Sequence, residues 1–168
     1  ACIAQITAEV GPIDILVNNA GIIKRIPITE MQLAEWEEVI RTDLTSPFIV
    51  SKAVVPGMIA RKSGKIINVS SMGGMQLAPS LWAYRLSTPG VIQFTKAAAV
   101  GLGRHGVRVN CLAPGNIETP ILEQAMVSHL PEVERAETLR RIRAYILAQQ
   151  PLAKQGTTDD MSEAALYF

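Results

Sequence analysis

The sequence predicts an α/β fold in which a doubly wound parallel sheet is flanked by helices. Three short runs carry this prediction, and they occupy residues 13–18, 65–69 and 107–112. Each run is mostly apolar and ends in small or polar residues, which is typical of parallel strands that are buried on both faces. Longer stretches with helical spacing of apolar residues separate the runs. This alternation of strands and helices favours a parallel sheet.

The helices are predicted from apolar residues at helical spacing and from start signals. In chain order they are a helix opened by the capping-box pattern of Thr29 and Gln32, the stretches 44–61, 82–103 and 132–148, and a last helix from Met161 capped within 157–160. Two of the stretches contain proline, which removes a backbone donor and has to be accommodated within the helix.

Composition excludes several classes of protein. The 168 residues are 48% apolar and 18% charged, which is enough apolar material for one buried core. Sixteen Lys+Arg against fifteen Asp+Glu leave a net charge of +1, so neither a nucleic acid nor a membrane partner is indicated. Cys2 and Cys111 are too few for a disulfide scaffold, and two isolated histidines do not make a metal site. No run approaches the ~18 apolar residues of a membrane span, and we expect a cytoplasmic protein with one domain over 1–168.

Small and polar residues follow all three predicted strands. The strand ends read Asn-Asn-Ala-Gly at 18–21, Ser-Ser at 70–71 and Pro-Gly at 114–115. Ligands bind at the carboxyl ends of the strands in an open parallel sheet, where such residues let a ligand approach the backbone closely. The same residue types also fill ordinary strand-to-helix turns. Both interpretations stay open on this observation alone.

Ser71 and Tyr84 form a candidate catalytic pair. Tyr84 comes thirteen residues after Ser71, near the start of a predicted helix, so the two hydroxyls could converge on one substrate oxygen. The alternatives are a turn cap for the serine and a packing role for the tyrosine. A cation one helical turn on would favour the phenolate, but position 88 is threonine. Lys96 lies ~18 Å further along the helix and Arg85 points about 100° around it, so neither is expected to substitute.

These segments together resemble the short-chain dehydrogenase/reductase family. The matching segments are Asn-Asn-Ala-Gly at 18–21, the spacing of Ser71 and Tyr84, and Pro-Gly-Asn-Ile-Glu-Thr at 114–119. The resemblance covers nearly the whole chain, and it implies a partial Rossmann-like fold. Each segment alone is weak, and the combination at these spacings is specific.

The resemblance implies reversible hydride transfer between NAD or NADP and a secondary alcohol or ketone. Ser71 would hold the substrate oxygen and Tyr84 would be the acid–base group. Asp43 falls where most of the family has an asparagine that supports a proton-relay water. The residues that would contact the cofactor are Asn18, Ala20, Gly21, Tyr84, Pro114, Gly115, Ile117 and Thr119.

Within the family, segments 18–27, 43–53 and 147–160 are most similar to gluconate 5-dehydrogenases. This similarity implies a polyol or a sugar acid such as gluconate as the substrate. Arg25 would then pair with a substrate carboxylate, which its planar guanidinium suits, and the alternative is a solvated basic pair with Lys24 on a surface loop. The family also implies a homo-oligomer formed through the two long helices.

The sequence departs from the family pattern in three ways. Thr88 replaces the lysine that binds the nicotinamide ribose, and Pro89 lies inside the same helix. No G-x-x-x-G-x-G turn is present, and the single G-x-G-x-x-G, at 101–106, precedes a strand instead of opening a helix. We therefore expect a domain that lacks the N-terminal glycine-rich βαβ section and the last strand. Two functions stay open: a dehydrogenase, and a catalytically inactive remnant that serves as an association module.

Overall fold

The computed structural model describes residues 2–75, 81–127 and 130–168. Its centre is a parallel sheet in the order β1–β2–β3, formed by β1 (Ile15–Asn18), β2 (Gly64–Val69) and β3 (Val107–Leu112). The register pairs Asn18 with Asn68 and Asn68 with Cys111. The carboxyl ends of all three strands therefore meet at one edge of the sheet. This arrangement confirms the predicted α/β class.

Helices surround the described part of the sheet. They are α1 (Cys2–Glu9), α2 (Leu33–Ile40), α3 (Ser46–Arg61), α4 (Trp82–Gly103), α5 (Pro120–Val127), α6 (Glu132–Ala148) and α7 (Thr158–Tyr167). Helix α5 was not among the predicted helices. A π-helical turn at Arg41–Thr45 joins α2 directly to α3, which begins at Ser46, close to the expected start near residue 44. No helix in the described ranges is both long and apolar enough to cross a membrane.

Two predicted helix starts need correction. Helix α2 begins at Leu33, so its capping box is formed by Gln32 and Glu35 instead of Thr29 and Gln32; the Gln32 amide donates to Glu35 Oε2 at 3.0 Å. Helix α7 begins three residues before Met161. Its cap is nevertheless within the predicted segment, because the Asp160 amide donates to Thr157 Oγ1 at 3.2 Å.

The main apolar core lies between the sheet and the long helices. Its buried members are Val54, Met58, Ile66, Val107 and Val109. Between α4 and β3, Gly106 has a φ of +74°, and a Cβ at this position would overlap the carbonyl oxygen of Lys62. The glycines at 101–106 therefore end a helix and lead into a strand, as predicted.

Candidate active site

A cavity of about 690 Å³ lies at the carboxyl ends of the three strands. Val17, Val69 and Leu112 contribute to its wall from β1, β2 and β3. Helix α7 closes another side with Thr158 and Met161. Pockets for small organic ligands span roughly 300–1,000 Å³, so the cavity has the volume of a small-molecule site.

Most of the predicted site residues line this cavity. They are Ala20, Gly21, Asp43, Ser71, Tyr84, Pro114, Gly115, Ile117 and Thr119. The sequence separates the first from the last by about a hundred residues, and the parallel sheet brings them together because its strands all end at the same edge.

Asn18 is the predicted cofactor residue that lies behind the wall instead of on it. Its Nδ2 donates to Asn68 Oδ1 at 2.8 Å and lies 3.3 Å from Ser51 Oγ on α3. Asn68, which is fully buried, in turn donates to Thr95 Oγ1 of α4 at 2.9 Å. These bonds tie the ends of β1 and β2 to both long helices, so Asn18 fixes the positions of the residues that do face the cavity.

Ser71 and Tyr84 adjoin the same glycine. Ser71 precedes a short 3-10 helix, and its Oγ accepts a hydrogen bond from the Gly73 amide at 2.9 Å. A Cβ at Gly73 would lie 3.0 Å from Ser71 Oγ and 3.3 Å from Tyr84 Cε1. Because the serine oxygen accepts from the backbone, its own hydrogen can be donated to a ligand oxygen.

Asp43 is a buried carboxyl on the cavity wall, located in the π-helical turn. Its Oδ1 accepts from the Ile22 amide at 2.9 Å, and its Oδ2 accepts from Ser87 Oγ at 3.1 Å. Burial raises the pKa of Asp43 to about 6, against the opposing effect of these two hydrogen bonds. The group therefore exchanges a proton near neutral pH. Single π-helical turns inside α-helices are frequent at functional sites.

Thr88 is held by its own helix. Its Oγ1 donates to the carbonyl oxygen of Tyr84 at 2.9 Å, and the residue is 5% exposed. The described cavity wall accordingly carries no ammonium group one turn after Tyr84.

The structure also brings Arg85 to the cavity wall, which the helical-wheel argument did not anticipate. Arg85 Nη1 donates to the carbonyl oxygen of Gly73 at 2.7 Å. The rotation of about 100° per residue describes only where the Cβ atoms point. A long side chain such as that of arginine can turn back along the helix surface toward the strand end. The sequence feature that could have indicated this position is the presence of a basic residue immediately after Tyr84.

Arg25 lies beside the cavity but does not line it. Its Nη2 is 3.8 Å from Sδ of Met126, a wall residue on α5. The neighbouring Lys24 pairs with Glu38 of α2 at 2.5 Å. The basic pair therefore packs against two helices instead of extending together into solvent.

Comparisons with known proteins agree with this geometry. The family model described as short chain dehydrogenase matches residues 1–128. The chain is 40% identical over 168 residues to the 2-dehydro-3-deoxy-D-gluconate 5-dehydrogenase of Formosa agariphila, covering 100% of this chain and 60% of the relative. It is 36% identical over 168 residues to the 5-keto-D-gluconate 5-reductase of Escherichia coli K12, covering 100% of this chain and 62% of that relative.

A solved structure extends the similarity to three dimensions. The gluconate 5-dehydrogenase of Burkholderia cenocepacia J2315, in complex with NADP and tartrate, matches with a TM-score of 0.85 and 33% identity, covering 98% of this chain and 60% of that chain. The chain thus spans about three fifths of the length of the relatives it matches. These relatives are dehydrogenases and a reductase, which gives no support to the association-module alternative. The family match and the identity along the whole chain show that this protein belongs to the short-chain dehydrogenase family.

Proposed function

We propose that the protein is an NAD(P)-dependent oxidoreductase that interconverts the hydroxyl and keto forms of a sugar acid. The observation that carries the proposal is the convergence of Ser71 and Tyr84 on Gly73 at the cavity wall. Family membership supports the reaction type. The names of two relatives, which act on gluconate derivatives, support the substrate class.

Ser71 and Tyr84 divide the work on the substrate oxygen. Because the Gly73 amide donates to Ser71 Oγ, the serine hydroxyl is oriented and can donate its hydrogen to that oxygen. In oxidation, Tyr84 as the phenolate takes the proton from the alcohol and becomes the phenol; in reduction, the phenol gives that proton to the developing alkoxide. Asp43 stays a proposed catalytic residue at the cavity wall, able to hold or release a proton near neutral pH because its pKa is raised to about 6.

The strand ends fit the proposed cofactor, with Ala20 and Gly21 on its adenosine side and Pro114 and Gly115 at its nicotinamide end. Ala20, Gly21, Pro114 and Gly115 are small or compact, and a Cβ at Gly115 would approach Met72 Sδ to 3.3 Å. When bound there, NAD or NADP would accept or deliver the hydride at the substrate carbon. The backbone near Ile117 and the Thr119 hydroxyl complete the proposed contacts at that end, as the family pattern implies.

We further propose that the protein acts in the cytoplasm as a homo-oligomer. Helices α3 and α4 support oligomer formation because they leave Phe48, Ile49, Leu86 and Val100 between 50% and 85% exposed. Apolar side chains in such numbers favour association through the helix faces that carry them.

The proposal is tested by assaying D-gluconate oxidation and 5-keto-D-gluconate reduction with NAD(H) and NADP(H), following the absorbance of the reduced nicotinamide. We expect Ser71→Ala and Tyr84→Phe each to lower the rate by about 10²-fold or more. Tyr145→Phe is the matched control, because Tyr145 is 67% exposed on α6. Turnover that persists in Tyr84→Phe at the wild-type rate would contradict the assignment, and absence of turnover with both substrates and both cofactors would contradict the function.

A further inference from the structure

We propose that Arg85 binds the carboxylate of the substrate and thereby makes the cavity select acidic over neutral sugar derivatives. This inference rests on the proposed function, since it names the residue that recognises the acid group. The resemblance to the family assigns no role to Arg85. From the sequence, its side chain was expected to point about 100° around the helix from Tyr84.

The Arg85 guanidinium lies next to the proposed reacting groups. Arg85 Nη1 donates to the Gly73 carbonyl oxygen at 2.7 Å, which anchors the head group on the wall. A Cβ at Gly73 would lie 3.3 Å from this Nη1, 3.3 Å from Tyr84 Cε1 and 3.0 Å from Ser71 Oγ. The guanidinium, the phenol ring and the serine hydroxyl therefore all lie close to the position that a Cβ of residue 73 would occupy. A substrate oxygen held by Ser71 and Tyr84 brings the rest of a short carbon chain within reach of Arg85.

The charges on the wall favour an acidic ligand at this position. Among the described residues that line the cavity, Arg85 is the one basic side chain and Asp43 the one acidic side chain. Asp43 is buried and accepts hydrogen bonds from Ile22 and Ser87. Arg85 is half-buried, and a charge shielded from bulk water attracts an opposite charge more strongly than an exposed one does. A guanidinium carries its N–H donors in a planar fork that matches the geometry of a carboxylate.

Arg25 is the competing candidate, and the structure favours it less. Its Nη2 contacts Met126 Sδ at 3.8 Å, and Met126, not Arg25, forms the wall. Arg25→Gln is therefore the matched control for Arg85→Gln. Both substitutions remove one positive charge, but Arg25 lies beside the cavity and Arg85 lies on its wall.

The test is calorimetric titration of the protein with D-gluconate and with D-gluconamide, which keeps the carbon skeleton and replaces the carboxylate by a neutral amide. We expect gluconate to bind about tenfold more tightly than gluconamide, because a charge-assisted pair replaces a neutral hydrogen bond. Arg85→Gln should lower gluconate affinity about tenfold and change gluconamide affinity less than twofold. A glutamine amide can still donate to the Gly73 carbonyl, and near-ultraviolet circular dichroism checks that the fold is kept. Arg25→Gln should leave the preference for gluconate in place.

Equal affinity of the wild type for gluconate and gluconamide would overturn the proposal, as would a preference that survives Arg85→Gln or disappears in Arg25→Gln. If Arg85→Gln does not fold, the affinities of the wild type and of Arg25→Gln for gluconate and gluconamide still test the proposal. The outcome is separable from the proposed function, because titration needs no turnover. Carboxylate binding through Arg85 without dehydrogenase activity would refute only the function, whereas turnover with equal kcat/KM for gluconate and gluconamide would refute only the role of Arg85.

Discussion

Asp43 joins three parts of the chain through one buried carboxyl group. It lies in the π-helical turn, accepts a hydrogen bond from the amide of Ile22 after β1, and accepts another from Ser87 on α4. Ser87 Oγ is also 3.1 Å from the carbonyl oxygen of Tyr84. The carboxylate is therefore linked through one serine to the helical turn that carries the proposed acid–base group. Because burial raises the pKa of Asp43 to about 6, the charge of this carboxyl group changes as the pH passes through about 6.

Asp43→Asn tests the raised pKa through the pH dependence of stability. The pKa rises from 3.8 to about 6 on folding, so the folded state binds the proton more tightly than the unfolded state. The resulting stabilisation is fully present below about pH 4 and is lost as the pH rises through about 6. The asparagine can accept from Ile22 and donate to Ser87 without a charge. Relative to this variant, we expect the wild type to lose up to about 3 kcal/mol of unfolding free energy between about pH 4 and pH 7.

The measurement is urea unfolding of both proteins at several pH values in that interval. The difference between the two free energies of unfolding isolates the contribution of position 43, since all other groups titrate in both proteins. A difference that does not vary with pH would show that the Asp43 carboxyl titrates in its ordinary range.

Gly73→Ala tests whether the three groups around this glycine need the space. A methyl group there would lie 3.0–3.3 Å from Ser71 Oγ, Arg85 Nη1 and Tyr84 Cε1, closer than ordinary van der Waals contact. These groups would have to move apart, and we expect kcat/KM for gluconate to fall about tenfold or more. Gly101→Ala is the control, because nothing lies within 4 Å of its added methyl group on α4. Equal kcat/KM in the two variants would contradict the proposed convergence.

At the scale of elements, the first two turns of α4 contribute several side chains to the cavity wall. Tyr84 and Arg85 line the wall, while Thr88 bonds back to the Tyr84 carbonyl. Pro89 has no N–H, so it removes the backbone donor that the Arg85 carbonyl would have in a regular helix. The helix nevertheless continues to Gly103, and Ser70 Oγ donates to the Thr88 carbonyl at 2.8 Å, which ties this irregular region to the end of β2.

Restoring the family residue in α4 tests the assignment of Tyr84. Thr88→Lys combined with Pro89→Ala places an ammonium group four residues after Tyr84 on the same helix face. A cation there favours the phenolate, and we expect at least a tenfold gain in gluconate oxidation over Pro89→Ala alone. The gain should vanish in a Tyr84→Phe background. The same gain in that background would mean that the lysine acts only through cofactor binding, and no gain in either background would remove support for Tyr84.

Elements whose signals are local could be predicted from the sequence. Strand β3 and helix α4 have the bounds expected from their apolar runs and the glycines between them. The π-helical turn could not be predicted, because the bonds of Asp43 to Ile22 and Ser87 come from parts of the chain that are remote in sequence. The same limit applies to the two arginines. The spacing of Ser71 and Tyr84 predicted that they lie near one another, and both line the cavity. The positions of Arg25 and Arg85, in contrast, depend on where α5 and the end of β2 lie.

At the scale of the whole molecule, the cavity and the exposed apolar surface are built by the same helices. Helix α4 contributes Tyr84 and Arg85 to the cavity and exposes Leu86 and Val100 elsewhere on its surface. Helix α3 holds the end of β1 through Ser51 and exposes Phe48 in its first turn. Association through these helices would therefore restrain the elements that position the site, which connects assembly with activity.

Charged substitutions on these helices test the proposed homo-oligomer. Phe48 is 50% and Val100 85% exposed, so Phe48→Glu combined with Val100→Glu should leave the folded monomer intact while placing two carboxylates in the proposed interface. Burying unpaired charges is costly, and we expect the dissociation constant from sedimentation equilibrium to rise at least about tenfold. Val133→Glu is the matched control, since Val133 is 89% exposed on α6. Sedimentation of the wild type as a monomer at tens of micromolar would contradict the proposed homo-oligomer. Dissociation caused by Val133→Glu but not by the double variant would show that the interface lies on α6 instead of on α3 and α4.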